Sequence, residues 1–83
     1  IQMTKYLACN LDAKNIRVNS VSPGPFPSSK KDINLINALK NKTPLGRVGN
    51  SIEVAKPIVF LLSNDSSYIN GINLPIDGGW TAW

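Results

Sequence analysis

The sequence predicts an α/β fold with a parallel sheet, built in the order helix, strand, helix, helix, strand. Three observations carry this. Apolar residues recur at helical spacing in three separate stretches. Two short runs rich in β-branched residues follow the first and the last of these stretches. The two runs lie about fifty residues apart, too far for a hairpin and suited to a parallel crossover.

Thr4, Leu7, Ala8 and Leu11 fall at i, i+3, i+4 and i+7 and align one apolar stripe on a helix running to about Ala13. Lys14-Asn15 ends it, with Asn15 suited to a left-handed position. Ile16-Arg17-Val18-Asn19-Ser20-Val21 reads as a strand, cut off by the stiff turn Ser22-Pro23-Gly24-Pro25-Phe26-Pro27. Ile33, Ile36 and Leu39 mark a second, half-exposed helix from about Ser28 to Asn41.

Thr43-Pro44-Leu45-Gly46-Arg47-Val48-Gly49 breaks the pattern, and Asn50 with Glu53 has the spacing of an N-cap and its reciprocal partner. The third helix carries a stripe of Ala55, Ile58, Val59 and Leu62, widened by Phe60 and Leu61, and is expected to be largely buried. Pro57 removes one of its backbone hydrogen bonds and predicts a local distortion. After the Ser63–Ser67 loop and Gly71, Ile72-Asn73-Leu74-Pro75-Ile76-Asp77 reads as the last strand. Pro75 places that strand at the edge of the sheet.

Composition excludes several functions. The 83 residues contain one cysteine and no histidine, so a disulfide framework, a zinc site and a Cys-His nucleophile are absent. Cys9 reads as a small buried hydrophobe, and a reducing, cytoplasmic setting fits. No apolar run approaches the roughly twenty residues needed to span a bilayer. The net charge of +4 is spread from Lys5 to Lys56 without a dense basic block, which argues against nucleic acid. The chain opens without an initiator methionine, inside a helix, and is expected to be a piece of a longer protein.

Ligands in open parallel sheets bind beyond the carboxyl ends of the strands. Two such ends occur, Ser22–Ser28 and Asp77-Gly78-Gly79-Trp80. Asp77 reads as a cap on the amides of its own turn. Arg17 and Asn19 read as structural ties between loops.

The run Asn15-Ile16-Arg17-Val18-Asn19-Ser20-Val21-Ser22-Pro23-Gly24 closely resembles the strand and turn after the catalytic helix of classical short-chain dehydrogenases/reductases. The register continues through Pro44-Leu45-Gly46-Arg47-Val48-Gly49, Glu53-Val54-Ala55, Phe60-Leu61-Leu62-Ser63, Tyr68-Ile69-Asn70-Gly71 and Asp77-Gly78-Gly79. The resemblance covers the whole chain.

That resemblance implies the C-terminal part of a Rossmann-type three-layer parallel sheet, with residues 1–83 as the C-terminal portion of a single NAD(P)-binding domain. It implies NAD or NADP as cofactor, a small carbonyl or secondary-alcohol substrate, and a homotetramer or homodimer in the full-length protein. Pro23, Gly24, Pro25 and Phe26 are implied to face the nicotinamide. Ser28 stands where relatives often carry a cofactor-binding threonine. Phe26, Leu35 and Leu39 become candidates to touch substrate, with Trp80 at the rim.

The ending Gly78–Trp83 is similar to gluconate-dehydrogenase-like or sugar-modifying members. The family's acid-base tyrosine, and the lysine four residues after it, have no counterpart here. Tyr6 is followed at that spacing by Asn10, and Tyr68 by Ile72. The chain alone is therefore expected to be inactive, its parent an oxidoreductase. The rival reading is a truncated, non-catalytic module that docks its apolar stripe on another protein.

Overall fold

The computed structural model describes residues 1–27 and 32–83. Helix α1 spans Gln2–Leu11 and tightens into a 3-10 turn over Asp12–Lys14. Asn15 follows at φ 62°, the left-handed conformation its side chain tolerates, and the Ile16 N–H closes back on the Leu11 carbonyl at 3.4 Å. Strand β1 is Ser20–Pro23, α2 is Ile33–Lys40, α3 is Ser51–Leu62 and β2 is Asn73–Ile76. Short 3-10 turns at Asn64–Ser66 and Trp80–Ala82 complete the order.

β1 and β2 pair in parallel, from Ser20 opposite Asn73 to Pro23 opposite Ile76. The Ser20 N–H donates to Ile72 and the Gly24 N–H to Ile76. Ile72, and Leu74 and Ile76 of β2, therefore turn their backbone polar groups to β1, and Pro75, which has no N–H, turns its nitrogen away from it. Pro75 therefore costs the ladder no hydrogen bond, as the edge position expected for that strand requires.

The first strand begins later than its β-branched run suggests. Residues 16–19 have no ladder partner. The Val18 N–H donates to Asn70 Oδ1 at 2.9 Å and the Val18 carbonyl accepts from Gly71 at 2.8 Å. Ladder pairing starts only where β2 is alongside, and it carries on into Ser22-Pro23, which had read as turn. The second helix is described from Ile33, and residues 28–31, expected at its start, lie outside the described residues. Asp32 caps it by accepting the Leu35 N–H at 3.1 Å, and Asn41 closes it.

Arg17 ties the carboxyl end of α3 to the sheet. Its guanidinium donates to the carbonyls of Leu61, Ser63 and Ile69 at 3.0, 3.1 and 3.1 Å. Cations suit helix C-termini because the last carbonyls lack intrahelical donors. Asn19 exchanges two bonds with the Ile69–Ile72 loop, Nδ2 to the Ile69 carbonyl and Oδ1 from the Ile72 N–H. Asn70 reaches from the same loop to the Ala8 carbonyl of α1 at 3.2 Å. Both structural readings hold.

Helix α3 runs unbroken through Pro57, but it is not the buried element its composition predicts. Only Leu61 is buried, while Val59 is 64% and Leu62 79% exposed. The face that packs holds Leu61 against the Asn64–Ser66 turn, where the Ser66 hydroxyl donates to the Leu61 carbonyl at 2.8 Å. Nothing among the described residues covers the opposite side. Cys9 is also exposed, contrary to its expected burial, because it points away from the Thr4–Ala8 side of α1 that packs.

Candidate functional site

Gly24 follows β1 and Asp77 follows β2, so the register sets them side by side at the carboxyl edge. A Cβ at Gly24 would stand 2.6 Å from Asp77 Cβ and 2.7 Å from Asp77 Cα. Only glycine permits that approach. Pro23 and Pro25 have no N–H, and the Gly24 N–H is taken by Ile76 at 2.9 Å. The Pro23–Gly24 stretch therefore offers carbonyl acceptors rather than donors.

Two hollows open at this edge. The smaller, about 360 Å³, is walled by Pro23, Gly24 and Pro25 from β1 and its exit, Leu39 from α2, and Trp80 and Thr81 beyond β2. The larger, about 510 Å³, takes Phe26, Pro44, Leu45, Gly49 and the Asp77–Gly79 turn. Phe26 lies across Gly49, close enough that a Cβ there would overlap the ring. The Gly49 N–H donates to the Pro25 carbonyl at 3.0 Å, so the turn after β1 is clasped from the α3 side.

Of the residues expected to meet a cofactor, Pro23, Gly24 and Pro25 share the smaller hollow, and Pro25 and Phe26 line the larger. Ser28 lies outside the described residues. Of those expected to touch substrate, Leu39 and Trp80 face the smaller hollow together and Phe26 the larger. Leu35 lines neither hollow and is 44% exposed.

Asp77 caps its turn as the sequence indicates. Its carboxylate accepts the Thr81 hydroxyl at 2.8 Å and the N–H groups of Thr81 and Gly79 at 3.2 and 3.0 Å. These bonds, the Thr81 hydroxyl first, hold its carboxyl below the usual carboxylate range despite partial desolvation. It is an anion committed to shaping the wall, not a proton donor at neutral pH.

Sequence reasoning missed two features beside the hollows. Arg47 and Glu53 form a two-pronged pair, Nη1 to Oε1 and Nη2 to Oε2, both 2.7 Å. Glu53 also accepts the Asn50 N–H at 3.2 Å, the half of the capping arrangement the sequence does signal. The Arg47 hydrogen bonds first, and that N–H second, lower the Glu53 carboxyl to about 2. Thr43 is the other feature, 3% exposed in a segment that is otherwise mostly open. A threonine ahead of Pro44 gives no periodic signal of burial.

A parallel strand pair with a glycine approach and two apolar hollows at its carboxyl edge is the α/β arrangement in which open sheets take their ligands. The family described as enoyl-(acyl carrier protein) reductase matches residues 1–81. A tropinone reductase homologue from Arabidopsis thaliana is 44% identical over 96% of this chain and 31% of its own length. A 3-oxoacyl-(acyl-carrier-protein) reductase from Chlamydia muridarum is 45% identical over 95% of this chain and 33% of its own.

A short-chain dehydrogenase family protein from Francisella tularensis superimposes with TM-score 0.89 at 33% identity, over 99% of this chain and 40% of that one. A 4-hydroxyisoleucine dehydrogenase complexed with NADH gives 0.87 at 33% identity, over 99% and 36%. A dehydrogenase structure from Agrobacterium tumefaciens with bound NADP gives 0.85 at 36%, over 99% and 35%. The chain belongs to the short-chain dehydrogenase/reductase family. It spans about a third of the length of the curated relatives it matches.

Proposed function

We propose that residues 1–83 are the C-terminal portion of a single NAD(P)-binding domain, and that the whole protein transfers a hydride between nicotinamide and a small carbonyl or secondary alcohol. The observation that carries this is the carboxyl edge, where Gly24 and Asp77 meet between Pro23, Pro25 and Trp80. A carboxamide is a flat group with two N–H donors. The Pro23–Gly24 carbonyls complement such donors, and the missing Cβ at Gly24 lets the ring plane come close.

The bound nicotinamide supplies the hydride acceptor or donor. The part played by this chain is positional. Pro23–Phe26 orient one face of the ring, Leu39 and Trp80 close an apolar wall beside it, and Asp77 fixes that wall through Thr81. Excluding water there favours hydride transfer over side reactions.

The acid-base tyrosine and its lysine lie, on this reading, in the part of the protein before Ile1, so the chain alone is inactive. The relatives bound to NADH and to NADP support either dinucleotide. On this reading the full-length protein is a homotetramer or homodimer working in a reducing, cytoplasmic setting.

The test uses the whole protein. NADH and NADPH binding are followed by fluorescence titration, and oxidation of each at 340 nm is measured with ethyl acetoacetate, tropinone and 2-keto-D-gluconate. Saturable binding with turnover of one of these carbonyls is the expected result. Absence of binding to both dinucleotides overturns the reading.

A further inference from the structure

We propose that Thr43 is a positioning residue whose buried hydroxyl fixes where α2 ends over the sheet, and thereby how tightly a carbonyl substrate is held beneath Leu39. The mechanics rest on the geometry around Thr43. Only the substrate rests on the oxidoreductase reading above.

The Thr43 hydroxyl has a single hydrogen to give. It donates to the Arg47 carbonyl at 3.0 Å, with the Lys40 carbonyl farther off at 3.5 Å. The Gly46 N–H returns to the Thr43 carbonyl at 3.0 Å, so the turn from 43 to 47 is closed from both ends. Helix α2 enters this turn directly, through the Lys42 N–H bonded to the Leu39 carbonyl at 2.9 Å. The position of Leu39 is thus set by how the turn is seated.

The seat is the Asp77–Gly79 turn. A Cβ at Gly78 would stand 3.3 Å from Thr43 Cβ, and one at Gly79 would stand 2.9 Å from Pro44 Cγ. Both glycines also have positive φ, 64° and 93°, so shape and conformation require them together. The Leu45 N–H to Gly78 carbonyl bond, 3.2 Å, latches the two turns. On the far side Arg47 is clamped to Glu53 of α3. The hydroxyl of Thr43 therefore ties the end of the segment that carries Leu39, which roofs the smaller hollow, to the backbone of Arg47, whose side chain is paired with α3.

Thr43→Val keeps the shape and removes the hydroxyl, leaving the Arg47 carbonyl without its donor, while Thr43→Ser restores the donor. In the whole protein, Thr43→Val is expected to raise KM about three- to tenfold for whichever of the three carbonyls the wild type reduces fastest. That range corresponds to one lost hydrogen bond. kcat and the dissociation constant for NADH are expected to stay put, the signature of lost substrate binding alone, and Thr43→Ser to bring KM back.

Hydrogen exchange supplies an arm that needs no activity. Amides of residues 33–40 should exchange faster in Thr43→Val than in the wild type or Thr43→Ser, with those of α1 unchanged. Equal exchange across α2 in all three proteins overturns the proposal, as does an unchanged KM. A wild type that binds neither dinucleotide sinks the oxidoreductase reading, and the exchange comparison then decides the mechanical claim by itself.

Discussion

Gly24 and Asp77 follow strands whose sequence positions are far apart, yet a Cβ on the first would lie 2.6 Å from the Cβ of the second. The two strand exits are in backbone-level contact, and the wall of the smaller hollow is their seam. Gly24→Ala must push Asp77 outward or part the strands at Ile76. Overpacking of this kind costs about 1–3 kcal/mol. In the whole protein the variant should unfold at lower urea and bind NADH more weakly. Unchanged values for both would mean that the seam is loose.

The Arg47–Glu53 pair predicts a pH dependence with a definite sign. Glu53 has an ordinary value of 4.5 and is lowered to about 2 when folded. A lowered folded value contributes stability that is fully present above 4.5 and is lost as pH falls through about 2. The melting-temperature gap between wild type and Glu53→Gln should therefore be constant above 4.5, shrink below it and close near 2. A gap that ignores pH would deny the pair any contribution through its charge. Both side chains are partly exposed, so added salt should narrow the gap at neutral pH.

Arg17 serves three carbonyls from two segments that otherwise meet only through short loops. Lysine carries the charge but lacks the planar fork that reaches all three. Arg17→Lys should cost about 1.5–3 kcal/mol, the range for hydrogen bonds to a charged group. Urea titration of the whole protein measures it, and a midpoint equal to wild type would mean that water satisfies those carbonyls as well.

The open side of α3 yields a prediction about assembly. Val59 and Leu62, 64% and 79% exposed, would lie in a subunit interface if the protein is a homotetramer or homodimer. The double variant Val59→Arg, Leu62→Arg should lower the solution mass measured by light scattering and leave NADH binding in place. Unchanged mass and unchanged melting temperature would mean that this face meets solvent in the assembled protein.

Much of this architecture was legible in the residues. The period of α1, the breaks at Gly24–Pro27 and Thr43–Gly49, the left-handed Asn15 and the cap at Asp77 are consequences of local chemistry, acting over a few residues. The motif order from Asn15 to Gly79 identified the family, because short segments at fixed separations are hard to match by chance.

Burial and register were not local in that sense. A helix apolar on nearly every side, such as α3, gives no sequence signal for which side packs, and the structure buries Leu61 rather than the Val59–Leu62 side. A β-branched run does not say where its partner begins, so β1 starts at Ser20 and not at Ile16. The approach of Gly24 to Asp77, the bidentate pair of Arg47 and Glu53 and the burial of Thr43 arise from the meeting of two turns. The sequence alone determined the elements, the breaks between them and the family. The tertiary structure decided which faces pack and which residues line the hollows, because those depend on distances between segments that no single segment encodes.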